Sequence, residues 1–279
     1  MRQKTTYLMV MMLGLVMLSA CTERIDIELE EGYIKLAVEG YLTPDDSLCY
    51  VRLTETGNYF SNEPVSVVSN AVIKVDDGTD TVLLHEDFDK AGMYLFPEGF
   101  NGRPEQNYTL DVQLPEAIGG YTEYRANAYM PAMTFHIDSI ALELNTSFDF
   151  WMLTLYAPNP PGRNFYMLQQ LTNDSLVTAK ISEVNVFDDE YLNDEYFYGL
   201  AVMGIDKEDI QPGDKVTLVV SLISEDYYNF ILEAQTEMQP HDPMFSGPPA
   251  NVRSNVDNGA VGYFAAFAST SASTYLKAK

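Results

Sequence analysis

Asn107-Tyr108-Thr109-Leu110-Asp111-Val112-Gln113-Leu114 is the stretch that decides the fold class. Tyr108, Leu110, Val112 and Leu114 alternate with Thr109, Asp111 and Gln113. Successive side chains of a strand point to opposite faces, so this period predicts a strand with one face in a core and one in water. A helix would instead need apolar residues three and four apart. The same period extends in both directions, from Tyr33 to about Met130. Ile34, Leu36 and Val38 alternate with Lys35 and Glu39, and Cys49, Val51 and Leu53 with Arg52 and Thr54. Ala71, Ile73 and Val75 enclose Lys74, and Tyr124, Ala126 and Ala128 alternate with Glu123, Arg125 and Asn127. Shorter strands fit Thr81–His85 and Gly92–Phe96. Turn formers separate the runs, among them Asp76-Asp77-Gly78, Gly102-Arg103-Pro104 and Gly119-Gly120. About seven short strands with regular turns predict a β-sandwich of immunoglobulin-like or transthyretin-like type.

Pro131 marks the expected boundary between a domain at 33–130 and a second β-rich domain at 131–279. In the second block Ile140, Leu142 and Leu144 share a face, as do Trp151, Leu153 and Leu155, Phe165 and Met167, and Val216, Leu218, Val220 and Leu222. One helix is expected at about 225–239. Ser224 is a good N-cap, Glu225 and Asp226 suit the positive end of the helix dipole, and Pro240 ends it. Tyr227, Phe230, Ile231, Ala234 and Met238 form its apolar stripe. A closing strand follows, with Val261, Tyr263, Ala265 and Phe267 on one face, and then a Ser/Thr/Ala-rich tail from Ser269. The expectation is an all-β chain of two sandwich-like domains, with one amphipathic helix in the second.

The N-terminus reads as an export leader. Arg2 and Lys4 precede an apolar run from Tyr7 to Leu18, about half of the roughly 20 residues that span a bilayer. Leu18-Ser19-Ala20-Cys21 then resembles the lipobox of bacterial lipoproteins. The resemblance implies cleavage before Cys21 and acylation of that cysteine, with diacylglycerol on sulfur and a chain such as palmitate on the new amine. Residues 1–20 would be the signal peptide and 21–32 a lipidated tether. Two or three acyl chains on one residue suffice for stable anchoring. Thr22 follows the cysteine, with no aspartate there to suggest inner-membrane retention, so the expected location is the outer membrane. The acidic residues after it resemble export signals of surface lipoproteins, which raises a cell-surface position.

Forty-one Asp and Glu against 16 Lys and Arg leave a net charge of −25. Nucleic acid is excluded as a partner, because phosphate neutralisation needs a basic footprint. Cys21 and Cys49 are the only cysteines. With Cys21 lipidated no disulfide framework is expected, and Cys49 is read as a buried thiol.

A set of segments resembles one family. It runs from the lipobox cysteine through Leu36-Ala37-Val38-Glu39-Gly40, Val51-Arg52-Leu53-Thr54-Glu55-Thr56 and Asn70-Ala71-Val72-Ile73-Lys74-Val75-Asp76-Asp77-Gly78 to Pro248-Pro249-Ala250-Asn251-Val252 and Gly259-Ala260-Val261-Gly262-Tyr263-Phe264. This is similar to the DUF4249 lipoproteins of the Bacteroidetes, a family of unknown function. The resemblance implies an accessory of a TonB-dependent outer-membrane receptor and no catalytic residues.

No His-Glu-x-x-His, phosphate loop or Gly-x-Ser-x-Gly elbow occurs. His85, His136 and His241 are far apart, so the chain is expected to be no enzyme and to carry no cofactor beyond the lipid on Cys21. Asp188-Asp189-Glu190, ahead of Asp194-Glu195, could offer hard oxygen ligands to calcium; the plainer alternative is a solvated acidic loop. Tyr191, Tyr196 and Tyr198 beside it suit sugar rings or a protein surface, which keeps a free-standing adhesin or glycan-binding module as the alternative function.

Overall fold

The alternation around Leu110 forms the long strand Gln106–Ile118. The computed structural model describes residues 34–45, 49–57, 64–192, 194–239 and 251–277. The expected leader and tether, Cys21, His241 and the Pro248–Ala250 part of the motif set lie outside them. In chain order the strands are β1 (Leu36–Leu42), β2 (Tyr50–Glu55), β3 (Val72–Asp76), β4 (Thr81–Leu83), β5 (His85–Glu86), β6 (Met93–Leu95), β7 (Gln106–Ile118) and β8 (Tyr121–Met130). There follow β9 (Ser139–Asn145), β10 (Phe150–Pro158), β11 (Phe165–Thr172), β12 (Ser175–Leu176), β13 (Asn185–Asp188), β14 (Tyr196–Asp206) and β15 (Lys215–Ile223). Helix α1 (Glu225–Met238), β16 (Val261–Ala266) and β17 (Ala268–Tyr275) close the order. Strands hold 52% of the described residues and helix 6%, so the fold is all-β.

The first sandwich packs the sheet β16-β1-β2-β6-β5 on the sheet β4-β3-β7-β8. Leu36, Val38, Val51 and Leu53 meet Ile73, Val75, Leu110 and Val112 in one core. These are the apolar positions of the alternation, and each full burial contributes about 1.5–3 kcal/mol. The β7–β8 hairpin pairs Ile118 with Tyr121. Its two central residues, Gly119 and Gly120, both have positive φ (62° and 91°), which a two-residue hairpin turn of this hand demands.

The second sandwich packs β14-β10-β9 on β12-β11-β15-β17, with β13 added beside β11. Leu153, Leu155, Tyr166, Leu168, Leu218 and Val220 are among its core residues. Strand β11 is buried on both faces along Phe165-Tyr166-Met167-Leu168. Tyr166 and Leu168 enter the sandwich core, while Phe165 and Met167 enter a third cluster with α1 and β16.

Helix α1 starts where the cap predicts, with the Tyr227 N–H donating to Ser224 Oγ at 3.3 Å. Tyr227 and Ile231 are buried, but Met238, expected on the packed stripe, is exposed. The helix ends at that residue. The helix stripe lies against residues of both sandwiches, since its cluster includes Phe165 and Met167 of β11 and Tyr263 and Ala265 of β16. No helix among the described residues is long and apolar enough to cross a membrane.

Two sequence expectations change here. The closing strand was grouped with the second block, yet β16 pairs in parallel with β1, from Ala37↔Val261 to Leu42↔Ala266. The stretch from Ser269, read as a tail, is β17, paired with β15. Its small polar residues hid it. Ser269 and Ser273 face Ser221 and Thr217 across the ladder, with hydroxyls 2.7 and 2.8 Å apart. One continuous run thus feeds a strand to each sandwich in turn.

Candidate functional site

The strand faces turned away from the first core build one side of a partly open chamber. On β1 and β2, Glu39, Tyr41, Tyr50 and Arg52 occupy the positions that alternate with core residues. This outer face is capped by α1 and by the outer face of β11. Between them lies a cavity of about 150 Å³. Tyr41, Tyr50, Tyr227 and Phe267 supply its aromatic walls, Met167 and Val184 its aliphatic side, and Glu39 its carboxylate. Tyr41 and Tyr50 are a cross-strand pair with ring centroids 5.3 Å apart at 83°. Tyr50 Oη donates to Glu39 Oε1 at 2.7 Å, and the Tyr227 hydroxyl bonds to that of Tyr41. Glu39 Oε2 lies 3.9 Å from Arg52 Nη1. Burial, followed by the nearby Glu39 charge, pushes Tyr41 up to about 12. Burial, followed by the charge of Glu39, also holds Tyr50 far above the ordinary tyrosine range, and buried Tyr227 is raised as well. The site therefore presents neutral hydroxyls and aromatic rings around one carboxylate.

The acidic run Asp188-Asp189-Glu190 does not converge on a common point. Asp189 turns inward and is only 4% exposed. It accepts from the Asn164 N–H at 2.6 Å, from Asn164 Nδ2 at 2.8 Å and from Tyr166 Oη at 3.1 Å. Asp188 and Glu190 turn the other way onto Arg163, at 3.0 and 3.2 Å from Nη2. Partial burial works to raise Asp188, but the Arg163 guanidinium and the Glu190 N–H outweigh it and hold the carboxyl below its usual range. The trio thus locks the loop after β13 to the Pro160-Pro161-Gly162 turn before β11. Among the described residues no three His, Cys, Asp or Glu side chains are grouped to hold a metal ion.

The three candidate tyrosines separate. Tyr196 and Tyr198 lie on β14 with ring centroids 4.3 Å apart. Tyr198 is exposed, and Tyr196 Oη donates to Asp138 Oδ2 at 2.8 Å. His136 Nε2 sits 3.3 Å from the other oxygen of Asp138. Tyr191 is exposed at the rim of a different feature, an apolar cleft of about 680 Å³ between β13 and β14, lined by Met152, Phe187 and Leu200. Cys49 is buried as expected, with its sulfur 3.3 Å from the Thr43 carbonyl oxygen.

The family model of DUF4249, a domain of unknown function, matches residues 22–273. The chain belongs to the DUF4249 family. The match covers both sandwiches, α1 and the chamber of this DUF4249 protein. No curated protein matches it.

Sequence reasoning missed the chamber of the DUF4249 chain because it treated the alternate face of β1 and β2 as solvated. The available signal was Tyr41 and Tyr50, two large rings at positions where Lys35 and Thr54 set a polar pattern. The buried tyrosines also set a pH response. An unfolded tyrosine ionises near 10, whereas Tyr41 and Tyr263, both raised chiefly by burial, ionise at about 12. Their contribution to stability is complete below pH 10 and is lost as pH rises from 10 through about 12. We expect alkaline unfolding in that window, with part of the tyrosinate absorbance appearing together with loss of circular dichroism. Ionisation of all 19 tyrosines near pH 10 with the fold intact would refute the burial assignment.

Proposed function

We propose that this DUF4249 protein is a non-enzymatic bacterial lipoprotein of the outer membrane, anchored through acylated Cys21 and serving a TonB-dependent receptor in ligand capture. The observation that carries the reading is the match's start at residue 22, directly after Leu18-Ser19-Ala20-Cys21. The family body begins where a lipobox leader would end. A concave aromatic chamber is a fitting structure for a capture role, since small-molecule sites are concave, largely apolar and marked by a few placed polar groups. Mass spectrometry of the N-terminus should find a cysteine carrying two or three acyl chains, and affinity purification from solubilised membranes should recover a receptor of the TonB-dependent class. An uncleaved leader with an unmodified Cys21 thiol would remove the anchor, and repeated recovery of no receptor would remove the accessory role.

One observation favours a second reading. Tyr196 and Tyr198 lie side by side on β14 with their rings tilted by 43°, beside Asp138, an arrangement suited to a sugar face. Selective glycan binding by the protein alone, lost in Tyr198→Ala, would support a free-standing adhesin instead.

A further inference from the structure

We infer that the chamber between the two sandwiches binds a small organic ammonium cation. This deepens the capture role proposed above and rests on it, but not on the anchor or the receptor. Tyr41 sits at the centre of an aromatic corner. Tyr50, Phe267 and Tyr227 meet it edge-on, with centroids at 5.3, 6.0 and 6.5 Å and interplanar angles of 83°, 68° and 64°. Tyr227 and Phe267 are parallel to each other, 6.2 Å apart, and both stand at a steep angle to Tyr41, so the rings form walls around it. The faces of such rings carry negative charge density, which attracts a cation placed over them.

Glu39 adds a full charge to this corner. Tyr50 occupies one lone pair of Oε1, and an ionised carboxylate has about four acceptor positions. Arg52 forms only a loose, half-exposed ion pair with Oε2 at 3.9 Å, beyond hydrogen-bond range. The other cation nearby, Lys180, is 78% exposed and held by Glu183 at 3.1 Å. An anionic ligand would face Glu39 directly. An uncharged apolar ligand would strip water from Glu39 without replacing it. A sugar would need polar partners around its whole ring, and apart from Gln169 the side formed by Met167, Leu176, Ile181 and Val184 is apolar. A cavity of 150 Å³ is the size that holds benzene in an engineered core, which limits the occupant to a compact head group. The net charge of −25 raises the local concentration of any cation.

The test is titration of the intact chain with tetramethylammonium chloride at constant ionic strength, by calorimetry and by tyrosine-ring nuclear magnetic resonance. Neopentyl alcohol is the uncharged control of similar shape. Tetramethylammonium should bind at least about tenfold more tightly than the alcohol and should shift the Tyr41 and Tyr50 resonances. Glu39→Gln keeps an acceptor for Tyr50 and removes only the charge; it should weaken cation binding about tenfold or more. Arg52→Gln removes the competing cation and should strengthen binding several-fold. Equal affinity for the alcohol, an unchanged affinity in Glu39→Gln, or no saturable signal from folded protein would each overturn the inference. Those results leave the receptor pull-down untouched, and a failed pull-down leaves them untouched.

Discussion

Gly262→Ala is expected to destabilise the fold by about 4 kcal/mol or more, a loss in the exceptional range for one methyl group. Gly262 lies in β16 with φ of 93°. A left-handed conformation costs a residue bearing Cβ about 1–2 kcal/mol. The larger part is steric. A Cβ here would lie inside the contact envelope of the Val38 carbonyl oxygen, and 2.9 Å from the Val38 carbonyl carbon. Both partners are backbone, so no side-chain rotation relieves the overlap. Val38 and Gly262 are register partners in the parallel β1–β16 pair, and the pair must separate to admit the methyl. That would loosen Phe264, which is fully buried in the first core. For a chain of this size, each kcal/mol lowers the melting temperature by about 2–4 °C, so a fall of roughly 10 °C is expected in thermal unfolding. Gly259→Ala is the matched control. It has φ of 76° but nothing within 4 Å of the added Cβ, so only the conformational part should be lost. Equal losses at the two glycines would show that the close approach of β16 to β1 carries no energy.

Asp189→Ala should cost about 3–5 kcal/mol in denaturant unfolding. The substitution orphans the Asn164 N–H and the Tyr166 hydroxyl, and it leaves the Asn164 carboxamide only its bonds to the Pro160 and Gly162 carbonyl oxygens. Tyr166 is fully buried, so its hydroxyl cannot turn to water. Each buried donor left without an acceptor costs about 1–3 kcal/mol. The nearby exposed ion pairs of Arg163 are worth far less, about 0–1 kcal/mol, so Glu190→Ala should scarcely move the midpoint. Asp189→Asn should fall between the two, because it keeps one acceptor but turns an N–H₂ toward donors. A midpoint for Asp189→Ala within error of that for Glu190→Ala would refute the reading of Asp189 as the lock of this loop.

The acidic run shows how far one-dimensional reading of a site extends. Its three carboxylates are plain in the sequence, and so is their fitness for calcium. What opposes them is not. Arg163 and Asn164 come from the turn before β11, and only the β11–β13 pairing, Phe165↔Asp188 to Leu168↔Asn185, brings them opposite. Strand β14 was missed for another reason. Tyr196-Phe197-Tyr198-Gly199-Leu200-Ala201-Val202-Met203 is apolar at almost every position, so no period shows which face is inward. The Ser224 cap and the stripe of α1 were legible because both are local, depending on residues within a few turns of one another.

The alternation of β1, β2, β7 and β8, the cap of α1 and the turn residues determined the all-β class, because each depends only on neighbours along the chain. The partner of each strand was decided in three dimensions. A two-residue period states which face of a strand is apolar, but backbone donors and acceptors are alike in every strand and do not name a neighbour. The entropy of closing a loop grows only slowly with its length, so nothing local forbids β16 from crossing the whole chain to lie beside β1. Fit between faces made that choice, with glycine at 262 allowing the backbones to meet. The same choice turned a face that reads as solvated into the walls around Glu39.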